Sequence, residues 1–285
     1  MSKTYKSSFV LADGIKTHFV EAGEGEPVVL VHGGGPGASG EHNWGRNIGA
    51  LAEHFRVYAI DLIGYGLTDK PPVEYSYQTK VNHLQSFIKT MCLENVRLAG
   101  NSMGAYVAVK WALEHPDNVS RVFMVATATV ASALGVGGVS RQGGAVRSRV
   151  GEEVTEQSMR DWLGMLNNNK ANITDELVKA RVYQAKLPGA WEAQQSYRAH
   201  LKKLAEDPGS HQWYDLSGRL SRFEKPLALA WGKDDEFAPV ELAFNIQKAL
   251  PNLTEFHLIE GSGHHVQNDQ YEFFNNVATK FFLDA

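Results

Sequence analysis

The chain has 285 residues, of which 43% are hydrophobic and 21% are charged, a composition typical of one large globular domain with room for an insertion. A formal net charge of −4 gives no electrostatic reason to expect nucleic acid or an anionic membrane as a partner. Cys92 is the only cysteine, so the sequence excludes an intramolecular disulfide and a cysteine-based zinc site. Since Cys92 lies between Met91 and Leu93, we expect it to be a small buried apolar residue.

The amino-terminal residues 1–8 lack the apolar core of a signal peptide. No stretch of the sequence approaches the ~18 apolar residues of a membrane-spanning helix. We therefore expect a cytoplasmic protein whose partner is a small molecule, with neither nucleic acid nor membrane involved.

Strand and helix patterns alternate along the first part of the chain. Two short strands, at 9–11 and 17–20, are joined by Asp13-Gly14, which is a hairpin turn signal. The later apolar patterns predict strands at 27–31, 56–61, 96–99 and 121–128, and helices at about 77–91 and 105–115. This alternation predicts an α/β fold with a mostly parallel, doubly wound sheet and helices on both faces.

The pattern changes after about residue 131. Residues 135–144 are so rich in glycine that we expect a mobile loop, and helical patterns follow near 152–167, 174–186 and 191–206. Thr174 is a candidate N-cap for the second of these helices. Strands at 226–231 and 254–259 and a helix at about 270–282 then resume the α/β pattern. We therefore predict an α/β core formed by 1–131 and 213–285, with a helical lid at 132–212.

A Gly-x-Ser-x-Gly sequence, with Ser102 at its centre, separates the strand at 96–99 from the helix that follows it. Between a strand and a helix this motif is typical of a nucleophile elbow, in which the turn is too tight for bulky residues two positions from the serine. The motif is short and also occurs by chance. Its interpretation therefore depends on an acid, a histidine and an oxyanion loop elsewhere in the chain.

Three glycines follow the strand at 27–31, in the sequence from His32 to Gly37. Glycines leave backbone N–H groups free to point at an anion, so this position favours an oxyanion loop over a flexible turn. We expect the His32 side chain to have a structural role, with hydrogen bonds to the nearby loop backbone.

The last two strands are each followed by a pair of titratable residues, Asp234 and Asp235 after one and His264 and His265 after the other. Functional groups gather at the carboxyl ends of strands in a doubly wound sheet. The chain order serine, aspartate, histidine is that of α/β-hydrolases. A histidine takes the proton of the serine hydroxyl, and a carboxylate orients that histidine and stabilises its charged form.

On these motifs the chain resembles the meta-cleavage product hydrolases, the C–C bond hydrolases of bacterial aromatic degradation, and among them the 2-hydroxy-6-oxo-6-phenylhexa-2,4-dienoate hydrolases. The resemblance covers nearly the whole chain. The residues that carry it are 32–38, 43–47, 64–66, 100–104 and the surroundings of Asp235 and His264.

The resemblance also implies which members of the two pairs are catalytic. In this family the acid follows a glycine by three residues and precedes a proline by four, and Gly232, Asp235 and Pro239 keep that spacing. The family's catalytic histidine directly follows a glycine, as His264 does. The implied catalytic triad is therefore Ser102, Asp235 and His264.

The same resemblance implies further site residues. The backbone N–H groups of Gly34 and Met103 match those of the family's oxyanion hole. Asn43, Asn101 and Arg181 match polar residues that hold the carboxylate and 2-oxo group of a dienoate. An arginine fork is well suited to a planar carboxylate.

Several positions depart from this match or compete with it. Arg147 and Arg149, in the predicted mobile loop, are rival partners for the carboxylate. His265 stands where the family often has tryptophan, and we place it among the substrate-binding residues. Ala105-Tyr106 replaces a smaller, glycine-led pair that is common after the elbow.

The resemblance implies hydrolysis of a C–C bond in a 2-hydroxy-6-oxo-hexa-2,4-dienoate, by a homo-oligomer (a dimer or larger) that needs neither metal nor organic cofactor. An ordinary carboxylesterase with the same triad is the first alternative, because one fold hosts many reactions. A ligand-binding receptor on a hydrolase scaffold is the second. The substituent on the acyl side of the substrate stays open between phenyl, alkyl and hydrogen.

Overall fold

The computed structural model describes residues 5–137, 153–206 and 212–284, which contain an eight-stranded sheet. The strand order is β1-β2-β4-β3-β5-β6-β7-β8, and β2 runs antiparallel to its two neighbours while β3 to β8 are parallel. The strands are β1 Lys6–Ala12, β2 Ile15–Ala22, β3 Pro27–Val31, β4 Arg56–Ile60, β5 Val96–Asn101, β6 Val119–Val125, β7 Leu227–Gly232 and β8 Leu253–Ile259. This arrangement confirms the predicted α/β fold.

Helices cover the sheet and fill the connections between its strands. They are α1 Gly40–Trp44, α2 Ile48–Leu51, α3 Tyr77–Thr90, α4 Met103–Glu114, α5 Ala128–Ala133, α6 Glu156–Leu166, α7 Asp175–Ala185, α8 Ala190–Glu206, α9 Glu241–Ala249, α10 Val266–Asp269 and α11 Tyr271–Leu283. The sequence patterns did not predict α9 or the short helices α1, α2, α5 and α10. Within the described ranges, no helix has the length and apolarity needed to cross a membrane.

The inner strands have continuous apolar sequences, because helices cover both faces of the sheet and leave no face exposed to solvent. All six residues of β7 are buried, and Val28 to Val31 of β3 are each 0% exposed. The parallel register places Val31 beside Gly100 and Asn101 beside Val125. The carboxyl ends of β3, β5 and β6 therefore lie at one edge of the sheet, where the loops with the predicted site residues begin.

Local turn geometry confirms one expectation and overturns two. Asp13 and Gly14 have φ values of 48° and 78°, and this left-handed backbone closes the β1–β2 hairpin as predicted. The strand predicted to reach residue 128 ends at Val125, because Ala126 turns the chain with φ 43°. The predicted burial of Cys92 is wrong: this residue follows the C-cap of α3 with φ 51°, and the turn directs its side chain into solvent.

The helices after residue 153 are attached to the core through α8 and α3. The Tyr197 hydroxyl donates to the Tyr77 hydroxyl at 2.9 Å, and the backbone N–H of Tyr75 donates to Ser196 Oγ at 3.0 Å. The buried Lys80 Nζ lies 3.9 Å from the centre of the Tyr197 ring. Thr174 caps α7 as predicted, with its side chain accepting from Leu177 N–H. Residues 138–144 of the predicted loop lie outside the described residues, and the lid at 132–212 stays a prediction.

Two neutral histidines support the loop that follows β4. His32 Nδ1–H donates to the Gly33 carbonyl at 2.7 Å and its Nε2 accepts from Leu62 N–H at 3.0 Å, which confirms its predicted structural role. His83 Nδ1 accepts from Ile63 N–H at 3.2 Å. Burial lowers the pKa of His32 from 6.5 to about 4 and that of His83 to about 3. Each acceptor nitrogen therefore stays unprotonated in the folded chain.

We predict that this pair makes the free energy of unfolding fall as the pH drops from about 6.5 towards 4. Within that window the unfolded chain binds protons that the folded chain does not. Each histidine therefore lowers the free energy of unfolding by up to about 1.4 kcal/mol for each pH unit of the drop. Above pH 6.5 both states are neutral and the contribution is constant. Urea unfolding of the wild type and of His83→Asn, which keeps a non-titrating acceptor, measures the effect. We expect a shallower pH slope for the variant, and equal slopes would contradict the assignment.

Candidate active site

Ser102 lies on a strained turn between β5 and α4. Its backbone has φ 54° and ψ −116°, a conformation that L-residues rarely adopt. A Cβ on Gly100 would lie 2.4 Å from the Gly104 carbonyl oxygen, and a Cβ on Gly104 would lie 2.3 Å from the Val31 carbonyl oxygen. Only glycine fits at these two positions. The motif therefore has the strand–turn–helix context that the nucleophile-elbow interpretation requires.

The glycine loop after β3 faces the first turn of α4. A Cβ on Gly34 would lie 3.6 Å from Met103 Sδ, and the Tyr65 hydroxyl lies 3.6 Å from the same sulfur. Neither the Gly34 nor the Met103 backbone N–H donates a hydrogen bond to protein in the described part of the chain. Two unpaired N–H groups at this position are suited to an oxyanion.

Asp235 and His264 form a buried pair. Asp235 Oδ2 lies 2.8 Å from His264 Nδ1, and Asp235 Oδ1 accepts from the backbone N–H groups of Phe237 and Ala238 at 2.9 and 2.8 Å. These bonds fix the carboxylate and use Nδ1–H of the imidazole, so Nε2 is left as the basic nitrogen. Asp234 is exposed, and its contact is with Asn168 Nδ2 at 3.4 Å.

His265 is buried beside this pair but does not replace His264 in it. Its backbone N–H donates to the Leu166 carbonyl at 2.9 Å, and its ring makes no hydrogen bond within the described chain. Burial, with smaller effects of His264 and Arg181, holds the pKa of His265 well below its usual value. The ring is therefore neutral.

The two predicted asparagines join the elbow to the neighbouring loops. Asn43 Nδ2 donates to Asn101 Oδ1 at 3.2 Å, and Asn101 Nδ2 donates to the carbonyls of Val125 and His264, each at 3.3 Å. Asn43 Oδ1 is buried and has no hydrogen-bond partner in the described residues. A buried amide with an unused acceptor is suited to a ligand donor.

Arg181, on α7, is 2% exposed and forms no ion pair within the described ranges. Its Nε and Nη2 have no hydrogen-bond partner there. Burial lowers its pKa to about 10, so the guanidinium stays charged at neutral pH. Its backbone is in tight contact with the glycine loop, because a Cβ on Gly37 would lie 2.0 Å from the Arg181 carbonyl oxygen. The rival candidates Arg147 and Arg149 lie outside the described residues.

Aromatic side chains connect the helical segment, formed by α6, α7 and α8, to Phe237 and His264. The sequence patterns did not predict this contact. The Trp162 ring lies 2.8 Å from the position of a Cβ on Gly35, and it meets the Phe237 ring edge-on at 5.8 Å. Phe237 in turn packs on His264 at 4.6 Å. The spacing of Phe237, two residues after Asp235, was the available signal, but nothing local in the sequence connects it to Trp162.

His42 is a second site residue that the motifs did not single out. It precedes Asn43, its Nδ1 is buried without a partner among the described residues, and burial and the Arg181 charge lower its pKa to about 4. Tyr106, the departure noted after the elbow, is 0% exposed and stacks on Tyr214 at 4.8 Å. It projects from α4 and packs against Tyr77 of α3 at 4.6 Å.

No group of three or more His, Cys, Asp or Glu side chains within 5–137, 153–206 and 212–284 is arranged to hold a metal ion. The expectation of no cofactor stays a prediction. The site as described consists of a serine on an elbow, a His–Asp pair, free backbone N–H groups, and an unpaired arginine with asparagines. These are the parts of a serine hydrolase site with a polar anion-binding end.

Comparison with known proteins agrees with that arrangement. Residues 26–271 match the family model described as the alpha/beta hydrolase fold. A 2-hydroxy-6-oxo-6-(2'-aminophenyl)hexa-2,4-dienoic acid hydrolase from Metapseudomonas resinovorans is 31% identical, with 97% of this chain and 91% of the relative covered. A 2-hydroxy-6-oxo-6-phenylhexa-2,4-dienoate hydrolase from Comamonas testosteroni is 28% identical over 93% of this chain and 90% of the relative.

Solved structures give the same result. A serine hydrolase involved in carbazole degradation, the CarC enzyme, has a TM-score of 0.80 at 30% identity, with 98% of each chain covered. The meta-cleavage product hydrolase CumD from Pseudomonas fluorescens IP01 has a TM-score of 0.80 at 26% identity, with 96% of this chain and 97% of that chain covered. These findings confirm the resemblance drawn from the motifs: the chain belongs to the α/β-hydrolase fold family and, within it, to the meta-cleavage product hydrolases.

Proposed function

We propose that this chain is a serine-dependent hydrolase that cleaves a C–C bond in 2-hydroxy-6-oxo-hexa-2,4-dienoates, the ring-cleavage products of aromatic degradation. The products are 2-hydroxypenta-2,4-dienoate and a carboxylic acid. The names of its relatives support the substrate class. The observation that carries the proposal is the buried Arg181 guanidinium, whose Nε and Nη2 lack partners among the described residues.

A buried guanidinium without an anion is costly, so its position requires a functional explanation. A planar carboxylate offers two oxygens to an arginine fork and pairs with it far better than a neutral group does. Asn43, which Asn101 holds in place, would accept from the neighbouring 2-hydroxyl group of the dienol through its unused Oδ1, and His265 lies at the same end of the site. A simple ester has no carboxylate for this end, which favours the dienoate over the carboxylesterase alternative.

The proposed chemistry begins with conversion of the dienol to its keto tautomer, so that the leaving fragment becomes a stabilised carbanion equivalent. His264 and the polar residues around Arg181 assist this proton transfer. Ser102 Oγ then attacks the C6 ketone while its proton passes to His264 Nε2, and Asp235 stabilises the resulting imidazolium. The oxyanion accepts from the N–H groups of Gly34 and Met103, each of which contributes ~3 kcal/mol.

Collapse of the tetrahedral intermediate breaks the C5–C6 bond. The electron pair passes from C5 through the conjugated chain to the 2-oxo oxygen, which takes the proton of the His264 imidazolium and so completes 2-hydroxypenta-2,4-dienoate. The acyl group stays on Ser102 Oγ as an ester. A water molecule, deprotonated by His264, hydrolyses that ester and regenerates the serine.

The first test is Ser102→Ala, mixed with a yellow ring-cleavage product. We expect the variant to bind the product, visible as a perturbed absorbance spectrum, and turnover to fall by roughly 10³-fold or more because the nucleophile is gone. Stopped-flow absorbance separates binding from turnover. Turnover at the wild-type rate would contradict the serine mechanism.

The second test is Arg181→Met, which removes the charge but keeps an unbranched apolar stem. We expect kcat/KM for the dienoate to fall at least ~100-fold, while hydrolysis of p-nitrophenyl acetate stays within about threefold of wild type. We also expect a higher melting temperature, because the empty site no longer contains an unpaired buried charge. An equal loss of both activities would favour the carboxylesterase alternative.

We also propose that two copies of this chain pair through β8, which is an edge strand of the sheet. Phe244 and Phe273 flank β8 and are 49% and 48% exposed, a large apolar exposure beside an open edge. Glu255 Oε2 lies 2.7 Å from His257 Nε2 within the strand, and antiparallel pairing about Phe256 would extend this contact by placing Glu255 opposite His257 of the partner subunit. The proposal narrows the predicted homo-oligomer to a dimer and names β8 as its interface. The predicted cytoplasmic location stays a prediction.

Light scattering during size-exclusion chromatography tests this pairing. We expect a dimer for the wild type and a monomer for the variant with both Phe244→Glu and Phe273→Glu, because charge at the edge opposes association. Phe9→Glu, on the opposite edge strand β1, is the matched control and should leave the dimer intact. A dimeric double variant, or a monomeric control, would contradict the assignment to β8.

A further inference from the structure

Asp269, the last residue of α10, is a buried carboxylate that the triad does not include. It is 6% exposed and makes no ion pair with the described residues. Its Oδ2 accepts from the N–H groups of Gly263 and Asn168, both at 2.8 Å. Its Oδ1 accepts from Asn169 N–H at 3.1 Å and from Asn172 Nδ2 at 3.2 Å. Four uncharged donors therefore hold one carboxylate.

These donors come from two parts of the chain that are about 100 residues apart. Gly263 directly precedes His264, whereas the three asparagines belong to the connection between α6 and α7. A carboxylate that accepts several N–H bonds fixes the positions of its donors. Asp269 thus connects the His264 loop to the helical segment.

The backbone on the other side of His264 is held by the same connection. His265 N–H donates to the carbonyl of Leu166, the last residue of α6, at 2.9 Å. A Cβ on Gly263 would lie 3.1 Å from both Leu166 O and Asn168 N, so the two loops are in direct contact. Both peptide N–H groups that flank His264 are therefore engaged, one by Asp269 and one by Leu166.

The helical segment that Asp269 binds also contacts the oxyanion loop and Phe237. Trp162 lies one turn before Leu166 on α6 and packs against Gly35 of the oxyanion loop and against Phe237. The core side of the His264 loop is fixed as well, because Asp234 N–H donates to the Ser262 carbonyl at 3.0 Å. Contacts with the loop after β7 on one side and with α6 on the other therefore restrain the His264 loop.

We propose that Asp269 is a positioning residue for His264. It does not contact substrate. It holds the Gly263 backbone N–H against the α6–α7 connection. The His264 imidazole therefore keeps its bond to Asp235 and presents Nε2 to Ser102. This inference rests on the proposed role of His264 as the base, and it adds that the helical segment, through one carboxylate, sets the orientation of that base.

The test is Asp269→Asn, which keeps the side-chain size but replaces one acceptor oxygen by an N–H₂ group facing N–H donors. We expect kcat for the dienoate to fall 10- to 100-fold with KM within about threefold of wild type. Binding of the dienoate to the Ser102→Ala/Asp269→Asn double variant should match binding to Ser102→Ala alone. This split between kcat and binding is the signature of a misplaced base in an intact pocket.

Thr155→Ala is the matched control. Thr155 caps the amino end of α6 and accepts from Ser158 N–H, far from the connection that Asp269 holds. The control weakens the same helix without releasing the His264 loop, so we expect kcat within about threefold of wild type. If both variants lose activity equally, Asp269 contributes only to folding of the segment and the proposal is overturned.

A second readout separates this inference from the proposed substrate. A fluorophosphonate reacts with Ser102 by forming an Oγ–P bond, with loss of fluoride and transfer of the serine proton to His264. Its labelling rate depends on the base and not on the dienoate. We expect labelling of Asp269→Asn to slow at least 10-fold even if the wild type does not turn over any dienoate. A wild-type labelling rate in the variant, or a parallel loss of dienoate binding and kcat, would overturn the positioning role.

Discussion

The structure depends on close contacts between backbone segments at the carboxyl ends of the parallel strands. A Cβ on Gly104 would lie 2.3 Å from the Val31 carbonyl oxygen, and a Cβ on Gly232 would lie 2.2 Å from the Ser262 carbonyl oxygen. Neither approach leaves room for a side chain. The loops after β3, β5, β7 and β8 are therefore drawn to one edge of the sheet, and the side chains they carry converge there.

The same edge holds a charge that the described residues do not compensate. Three histidines near Arg181 are neutral, since burial lowers the pKa of His32, His42 and His265 and the guanidinium lowers each further. A buried guanidinium that forms no ion pair with the described residues is suited to one bound anion. Such a site costs folding free energy while it is empty, and the proposed substrate carboxylate would offset that cost.

The helical segment is part of this site as much as the sheet is. It is attached to α3 through Tyr197, to the glycine loop through Trp162, and to the His264 loop through the α6–α7 connection on Asp269. These attachments are of different kinds: hydroxyl hydrogen bonds, aromatic packing and a buried carboxylate. Because they reach three separate loops, these attachments constrain where those loops lie relative to one another.

The sequence by itself determined the features that depend on local chemistry: the apolar runs that became buried strands, the hairpin turn, the elbow glycines around Ser102 and the chain order serine, aspartate, histidine. It could not separate Asp234 from Asp235 on residue type, because adjacent carboxylates have the same chemistry. The family resemblance selected Asp235 on its spacing to Gly232 and Pro239, and the 2.8 Å contact with His264 agrees with that choice. The exposure of Cys92 was decided by a positive φ at the end of a helix. The pairings of Asp269 and of Trp162 join segments distant in sequence, so tertiary structure alone could decide them, since no local pattern encodes which distant backbone groups a side chain will meet.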